Sequence, residues 1–415
     1  HVVNQAGAVQ ITLVAAQQDI DEVVVVGYGS QQKKDVTGSI STVSMKNIRG
    51  QAISSPDQAL TGQVAGVTVS TSNGTPGGGP KIQLRGIGAI GVGSQPLYVI
   101  DGYPVPSSSD QQSNPMSSIN PSDIESMSVL KDASATAIYG SRGSNGVVII
   151  NTKKGSQGKA KIQFSGSTGL QEVPQSGRPD LMNGQEFAQF RKEALEDQIR
   201  FEQGREPTMA DIPEIYRNPE AIGEGTNWFD EVTRVAPMHD VNLSISGGNE
   251  VLRSYVSANY FKQEGVMLNT DFQRFADRAN VDANISSKFK AGVNLAPTLT
   301  YLKGGVRGQG RDEGFDISSP IPAAYNADGS YNPYIQSPGS FGVPNPAMVL
   351  NETKNSTDKM KVLMSSYLEY SFLPNLKFKT TFNVDYEDAS NEYFRPSILG
   401  NQNAPAPSVP SGSYN

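Results

Sequence analysis

The chain has 415 residues with a formal net charge of -7, which gives no support to nucleic-acid binding because that function usually needs a basic surface. Cysteine is absent and only His1 and His239 occur, so a disulfide framework and a thiolate or histidine metal cluster are excluded. No apolar run reaches about 18 residues, so no membrane-spanning helix is expected. Since the sequence begins at His1 rather than Met, we expect it to be a piece of a longer protein.

The N-terminal segment contains an unusual run of valines. Residues 1–18 end in VQITLVAA, an alternating pattern typical of a strand, and DIDEVVVVGYGS follows. Such a run could be a buried parallel strand, or an extended segment that adds itself to the edge of another protein's sheet. In the second case Asp19, Asp21 and Glu22 would oppose self-association. The residues alone leave both interpretations open.

Residues 36–157 are rich in glycine and predict a compact α+β domain. The segments VTVS, KIQLR, PLYVID and GVVIINT read as strands. PDQALTG predicts a short helix from Pro56 that stops at Gly62. KDASATAIYG predicts one short helix, with Asp132 as its N-cap and Gly140 just past its end.

No catalytic or cofactor site is expected. GIGAIG, from Gly86 to Gly91, matches a dinucleotide-binding pattern, but too few residues separate it from the next strand for the required helix. We interpret it as a flexible glycine loop. The paired acids Asp21/Glu22 and Asp123/Glu125 are interpreted as solvated or capping residues. Neither histidine is placed for a catalytic triad.

After residue 158 the sequence alternates with a period of two, which predicts seven long strands. In NLKFKTTFNVDYED, apolar and polar side chains alternate from Leu376 to Glu387. Short turns (GGNE, SSK and LPN) alternate with long connections at about 171–236, 264–271 and 303–357. This arrangement is typical of an outer-membrane barrel, with a soluble β-sandwich as the alternative. Seven strands would leave an open edge, so we expect the barrel to continue beyond Asn415, after the Pro/Ser-rich loop NAPAPSVPSGSYN.

The sequence resembles the SusC/RagA-like family of TonB-dependent outer-membrane transporters along its whole length. The motifs are DEVVVVGYGSQ, ALTGQVAGVTV, IQLRGIG, PLYVIDG and INPSDIESMSVLKDASATAIYGSRGSNGVVIINTKKG, followed by WFDEV and LSISGGNE. The resemblance implies an α+β plug domain inside a transmembrane antiparallel β-barrel of about 22 strands, of which about seven are present. Residues 1–18 would end an N-terminal β-sandwich extension, 19–35 hold the TonB box and linker, 36–157 form the plug, and 158–415 begin the barrel.

The function implied by the resemblance is active import across the Gram-negative outer membrane. TonB would pair with the valine run. A SusD-like surface lipoprotein would cover the barrel, which would be embedded in outer-membrane lipid. The cargo would be a large polar nutrient, an oligosaccharide rather than an oligopeptide, with no cofactor and no nucleic acid. The connection 171–236 would be an extracellular loop available to the lipoprotein, or would pack only on its own barrel. The alternatives are a siderophore- or vitamin-type receptor without a lid, and an outer-membrane ligand sensor.

The resemblance also nominates site residues. The TonB box comprises Asp21, Glu22, Val23, Val24, Val25, Val26 and Gly27. The plug motif comprises Arg85, Gly86, Asp101, Gly102, Lys131, Asp132, Tyr139, Gly140, Arg142, Gly143, Asn145 and Gly146. The charged residues Arg85, Lys131, Asp132 and Arg142 could tether the plug by ion pairs, or serve as caps and surface charge.

The remaining plug residues are expected to serve structure more than binding. The glycines suit special backbone geometry, and Tyr139 suits packing. Outward-facing loops near 73–80, 87–95 and 103–118 could touch substrate. Tyr103 in the last of these is a candidate stacking residue, with packing as its alternative role.

Overall fold

The computed structural model describes residues 23–26, 29–32, 40–45, 53–70, 74–84, 95–105, 115–304, 318–340, 342–400 and 405–414. Within these residues, no helix is long and apolar enough to cross a membrane. The N-terminal part contains β1 (Val23–Val26), β2 (Gly29–Gln32), β3 (Ile40–Ser44), β4 (Val67–Ser70), β5 (Lys81–Leu84), β6 (Leu97–Ile100), β7 (Tyr103–Val105), β8 (Ile124–Leu130), α1 (Ala133–Thr136) and β9 (Val147–Thr152). Single 3₁₀ turns cover Pro56–Leu60, Pro115–Ser118, Pro121–Asp123 and Ala137–Gly143.

The rest of the chain is dominated by long strands with helices in two connections between them. Its elements are β10 (Gly158–Gln171), α2 (Gly184–Gln203), α3 (Glu214–Arg217), α4 (Trp228–Val232), β11 (Ala236–Gly248), β12 (Leu252–Glu264), β13 (Asp271–Asn284), β14 (Phe289–Lys303), β15 (Tyr334–Ile335), β16 (Val343–Pro344), α5 (Pro346–Glu352), β17 (Lys354–Leu373), β18 (Leu376–Arg395) and β19 (Ser411–Tyr414).

Five N-terminal strands form one mixed sheet, the plug sheet, in the order β3-β8-β9-β6-β7. Strands β6 and β9 are parallel, and the other neighbours are antiparallel. The apolar runs of β6 and β9 follow from burial on both faces. Tyr98 and Ile150 lie in a large apolar cluster on one face, whereas Val99 and Ile149 lie in a second cluster on the other. The predicted α+β fold is therefore confirmed.

The helix predicted over KDASATAIYG was wrong in its extent. Only Ala133–Thr136 is α-helical, and the chain continues in 3₁₀ turns through Gly143. Gly140 lies inside these turns with φ 61° and ψ -146°, rather than just past a helix end. A positive φ at this position interrupts regular helical bonding, which explains why the segment breaks into short turns.

The long strands form a second sheet, the barrel sheet, in the order β10-β11-β12-β13-β14-β17-β18-β19. Residues 249–251, 285–288 and 374–375 connect its strands at one end, the short-turn end. The connections 172–235, 265–270 and 304–353 lie at the opposite end, the long-loop end. The seven predicted strands are confirmed.

An eighth strand corrects the prediction for the C-terminal segment. We expected a Pro/Ser-rich loop after β18, but Ser411–Tyr414 forms β19 and pairs with β18 from Glu392↔Tyr414 to Arg395↔Ser411. The sequence SGSY has no apolar alternation, so periodicity could not identify it. Its pairing uses backbone hydrogen bonds, for which the side-chain pattern carries no signal.

The two faces of the barrel sheet differ as the alternation predicted. On the outer face, exposed apolar side chains follow one another across strands, including Phe275, Leu299 and Phe378. The rings of Tyr260 and Phe275 lie 4.8 Å apart between centroids. The inner face carries polar side chains such as Arg278 and approaches the plug sheet.

Two long connections fold together at the long-loop end, and we call them the outer-loop unit (172–235 with 318–340 and 342–353). The Trp228 Nε1–H donates to the Ser319 carbonyl at 2.9 Å, and the Tyr216 hydroxyl donates to the Pro338 carbonyl at 2.7 Å. Trp228 is buried with Ala324, Ile335 and Val343. The connection 172–235 therefore packs against the second connection as well as continuing into its own strands.

Candidate functional site: the plug–barrel interface

Arg274 of β13 is the most deeply buried charged group of the interface, with 0% of its surface exposed. Its Nη1 donates to three carbonyl oxygens of the plug domain, those of Ser54 (2.9 Å), Ser117 (3.0 Å) and Ile119 (3.0 Å). Its guanidinium also lies over the Phe261 ring, 5.3 Å from the centroid. The arginine thus holds two separate plug segments through their backbone, and because Nη1 carries two hydrogens, one of them is shared between two carbonyls.

Arg278 lies four residues further along β13, on the same face, and contacts carboxylates instead. Its Nη1 lies 3.5 Å from Asp101 Oδ2, and its Nε lies 3.9 Å from Asp123 Oδ2. Asp123 also accepts a hydrogen bond from the Tyr255 hydroxyl at 2.9 Å. Two plug carboxylates therefore converge on one barrel arginine in a site where solvent screening is weak.

Asp101 is held in an uncommon backbone conformation by these contacts. Its φ is 48°, and Gly102 follows with φ 88°, so β6 turns tightly into β7. The Asp101 carboxylate accepts the Thr152 backbone N–H at 2.9 Å and the Thr152 hydroxyl at 2.7 Å. The Asn294 side-chain amide of β14 donates to the same carboxylate. One turn residue thus links two plug strands to two barrel strands.

Neutral hydrogen bonds complete the interface. The Asn120 amide donates to Asn242 Oδ1 at 2.8 Å, and the Thr298 hydroxyl donates to the Ser118 carbonyl at 3.0 Å. At the long-loop end, the Gly77 N–H donates to Gln263 Oε1 at 3.1 Å. A contact made largely of hydrogen bonds can be exchanged for water, whereas an apolar contact would expose hydrophobic surface when it parts. This chemistry suits a domain that is lodged and displaceable.

The TonB-box residues fall partly within the described residues. Val23, Val24, Val25 and Val26 form β1, which pairs antiparallel with β2 from Val23↔Gln32 to Val26↔Gly29. This pair is a separate two-stranded sheet, so the interpretation as a buried parallel strand is wrong. Asp21, Glu22, Gly27, Arg85 and Gly86 lie outside the described residues, as do the glycine loop 86–91 and residues 1–18.

Three other charged residues of the plug motif make contacts within the plug or lie at its surface. The Lys131 Nζ donates to the Ala65 carbonyl within the plug at 3.1 Å. Asp132 accepts the backbone N–H groups of Ala135 and Thr136 through its carbonyl. Arg142 is exposed. Between the plug and the barrel sheet, the described ion pairs join Asp101 and Asp123 to Arg278, and the tethering role of Lys131, Asp132 and Arg142 stays a prediction.

The other plug-motif residues lie at turns and in the core. Tyr139 is buried beside Leu130 and Val147. Gly102, Gly140 and Gly146 have positive φ. Gly143 does not, but a Cβ there would lie 2.9 Å from the Thr136 carbonyl oxygen. Asn145 is half-buried in the turn between Gly143 and Gly146.

Tyr103, nominated for substrate stacking, lies against the plug core. It is half-buried and packs on the large apolar cluster, as Leu363 of β17 does. Burial raises the pKa of the Tyr103 hydroxyl, the Asp385 carboxylate raises it further, and Arg142 lowers it. Its position favours packing between the plug sheet and the barrel sheet over contact with substrate.

Sequence reasoning missed the residues that join the two sheets. Asp123 was interpreted as solvated or capping, but only 2% of its surface is exposed. Arg274 and Arg278 occupy alternate positions of FQRFADRAN, on the face shared with Asn280. Two arginines on one face of a barrel strand, four residues apart, could have indicated a polar wall facing a plug.

Known proteins resemble the chain in both sequence and fold. The TonB-dependent receptor plug domain family matches residues 32–147. A TonB-dependent receptor of Formosa agariphila is 35% identical over 401 residues, which cover 94% of this chain and 36% of the relative. The TonB-dependent receptor SusC of Bacteroides thetaiotaomicron is 31% identical over 413 residues, which cover 92% and 38%.

Among solved structures, the RagAB peptide importer in its open-open state matches with a TM-score of 0.76 and 26% identity, over 95% of this chain and 45% of that one. The chain thus spans somewhat more than a third of the length of the curated relatives that it matches. With a plug domain lodged against an antiparallel barrel sheet, the chain belongs to the SusC/RagA-like family of TonB-dependent transporters.

Proposed function

We propose that the protein containing this chain imports a large polar nutrient across the Gram-negative outer membrane in a TonB-dependent reaction. The observation that carries the proposal is the largely polar plug–barrel interface, in which Arg274 and Arg278 hold the plug through hydrogen bonds and ion pairs. Such an interface can be opened by work done on the plug and can re-form afterwards. The relatives it matches are named as receptors and as an importer.

Coupling to TonB would begin at β1. One edge of this strand pairs with β2, and its other edge has no strand partner among the described residues. An unpaired edge of β-branched residues is suited to receive a strand from another protein through main-chain hydrogen bonds. TonB would add to this edge or take the place of β2.

The cargo and the lid would both engage the long-loop end. An oligosaccharide is proposed ahead of an oligopeptide, and a SusD-like surface lipoprotein would cover the long-loop end with the outer-loop unit as its contact. The topology supports an extracellular position for the long-loop end, since long loops of bacterial barrels lie outside and short turns lie in the periplasm. The exposed apolar face around Phe275 and Leu299 would contact outer-membrane lipid.

Deleting Asp21–Gly27 from the full-length transporter tests the proposal. We expect uptake of the nutrient to be lost while its binding to cells is retained, because the deletion removes the coupling strand and leaves the barrel unchanged. Uptake in a strain that lacks TonB serves as the matched control and should be equally low. Uptake that survives the deletion would contradict energy-coupled import and would favour a ligand sensor.

A further inference from the structure

A short loop of the outer-loop unit carries two neighbouring tyrosine rings. We call residues 324–332 (AYNADGSYN) the tyrosine loop. The rings of Tyr325 and Tyr331 have centroids 5.4 Å apart and planes inclined by 31°. Tyr325 is 42% exposed. Large exposed aromatic faces are costly in water, so a pair held side by side is a candidate contact surface.

The conformation of the tyrosine loop is fixed by its own hydrogen bonds. Tyr325 and Tyr331 face each other in an antiparallel bridge. The Asn326 N–H donates to the Ser330 carbonyl at 2.8 Å, and the Asp328 carboxylate accepts the Ser330 N–H at 3.0 Å. Gly329 supplies the positive φ of 82° that closes the turn. The two rings are therefore held in place before any ligand arrives, which lowers the entropy lost on binding.

A buried asparagine outside the tyrosine loop binds both ends of that loop. Asn345 is 0% exposed, and its side-chain amide donates to the Ala324 carbonyl at 2.7 Å and to the Asn332 carbonyl at 3.0 Å. These carbonyls flank the tyrosine pair on both sides of the hairpin. Ala324 also packs in the apolar cluster around Trp228. The loop is thus a rigid projection of the outer-loop unit rather than an independent surface turn.

Several outer connections meet at the tyrosine pair. Tyr331 packs on the apolar cluster of Met348, Val349 and Leu399, and Leu399 belongs to the connection between β18 and β19. The Asn351 amide donates to the Tyr331 hydroxyl at 2.8 Å. On the other side, burial raises the pKa of Tyr325, and the Glu231 carboxylate of α4 raises it further.

A flat apolar face bordered by carboxylate and amide groups matches the surface of a pyranose ring. The ring of a sugar presents C–H bonds on its faces, which pack on an aromatic ring, and hydroxyl groups at its edge, which bond to acceptors such as Glu231. A peptide that binds by strand addition would need unpaired backbone groups for recognition. In the tyrosine loop the N–H groups of Asn326, Gly329 and Asn332 are already bonded within the loop.

We propose that Tyr325 and Tyr331 form a stacking site for a pyranose unit of a neutral oligosaccharide, at the entrance to the barrel. This site rests on the proposed import function and assigns the residues of the first contact with its cargo. The sugar would stack on the Tyr325 face, Tyr331 would support that ring from behind, and Glu231 would accept a hydroxyl hydrogen bond. No covalent step is involved.

The test measures binding to the full-length transporter in its native complex by calorimetry. The probes are maltohexaose, cellohexaose and laminarihexaose, with a neutral decapeptide as the comparison. At least one hexasaccharide should bind, and Tyr325→Leu, which removes the flat ring but keeps apolar volume, should weaken it about fivefold. Tyr325→Phe keeps the ring and should bind within about twofold of the unaltered protein.

Tyr370→Leu is the matched control, because Tyr370 has a similar exposed fraction of 39% but lies on the outer face of the barrel sheet. It should not change binding. The site is refuted if no hexasaccharide binds, if only the decapeptide binds, or if Tyr325→Leu binds as the unaltered protein does. These results leave the import function standing when the Asp21–Gly27 deletion still abolishes uptake, so the two proposals can fail separately.

Discussion

The plug sheet and the barrel sheet use similar strands but bury them differently. Strands β6 and β9 are apolar on both faces, whereas the barrel strands are apolar on the face that points away from the plug and polar on the face that points toward it. The plug sheet is therefore held together by packing, and its attachment to the barrel sheet is held largely by hydrogen bonds and charge, with an apolar contact at Leu363. The cohesion of the plug and its attachment should be separable by mutation.

The largest expected effect is on the cohesion of the plug. Ile149→Ala removes a side chain that is 1% exposed, between β6 and the Tyr139 turn, and should lower the stability of the plug sheet by about 2–5 kcal/mol. Hydrogen exchange should increase throughout 147–152. Val293→Ala, on the exposed outer face of β14, is the control and should leave this segment protected. Unchanged exchange in Ile149→Ala would show that packing does not hold the sheet.

Arg274→Met tests the attachment. It leaves the carbonyls of Ser54, Ser117 and Ile119 without their donor, and should weaken the attachment by about 3 kcal/mol. We expect faster hydrogen exchange in 115–123 while 147–152 stays protected, the reverse of Ile149→Ala.

Lys290→Met is its control, since Lys290 is exposed on β14. An equal increase in hydrogen exchange in 115–123 and 147–152 of Arg274→Met would mean that the cohesion of the plug and its attachment cannot be separated.

The fold was more predictable from sequence than the site because periodicity reports burial and not partners. The alternation in NLKFKTTFNVDYED and the run VVII of β9 identified half-buried and fully buried strands. The strand SGSY was missed because its pairing is made by the backbone alone. Asp101 was nominated by its motif, but its partners Arg278 and Asn294 lie more than 170 residues away in sequence, and no local pattern specifies such contacts.

A smaller effect is expected when the charge of Asp101 is removed without changing its size. Asp101→Asn should retain the turn, because asparagine tolerates a positive φ, but it loses the carboxylate that Thr152, Asn294 and Arg278 share. We expect the attachment to weaken by about 1–2 kcal/mol. Faster hydrogen exchange of the Thr152 amide, which donates to Asp101, would show this weakening.

Glu125→Gln removes the same charge from an exposed position of β8 and serves as the control. If Asp101→Asn exchanges no faster than Glu125→Gln, the carboxylate contributes nothing to the attachment. In that case Arg274 and the neutral hydrogen bonds would hold the plug by themselves.

The smallest effect is expected in the outer-loop unit, where the Arg205–Asp211 ion pair is partly exposed and contributes little to the stability of the fold. Hydrogen bonds from Arg205 and Thr208 hold the pKa of Asp211 well below its usual range. A lowered folded-state pKa stabilises the turn at pH values above about 4, where the unfolded carboxyl is also ionised, and this contribution is lost as the pH falls further. We expect the Thr208 amide, which donates to Asp211 Oδ2 at 2.8 Å, to lose protection upon acidification. Comparison with Asp211→Asn at each pH corrects for the pH dependence of exchange itself. Since exposed ion pairs contribute little, the apolar packing of β9 should be unaffected by this loss, and an equal loss of protection at Ile149 would contradict that separation.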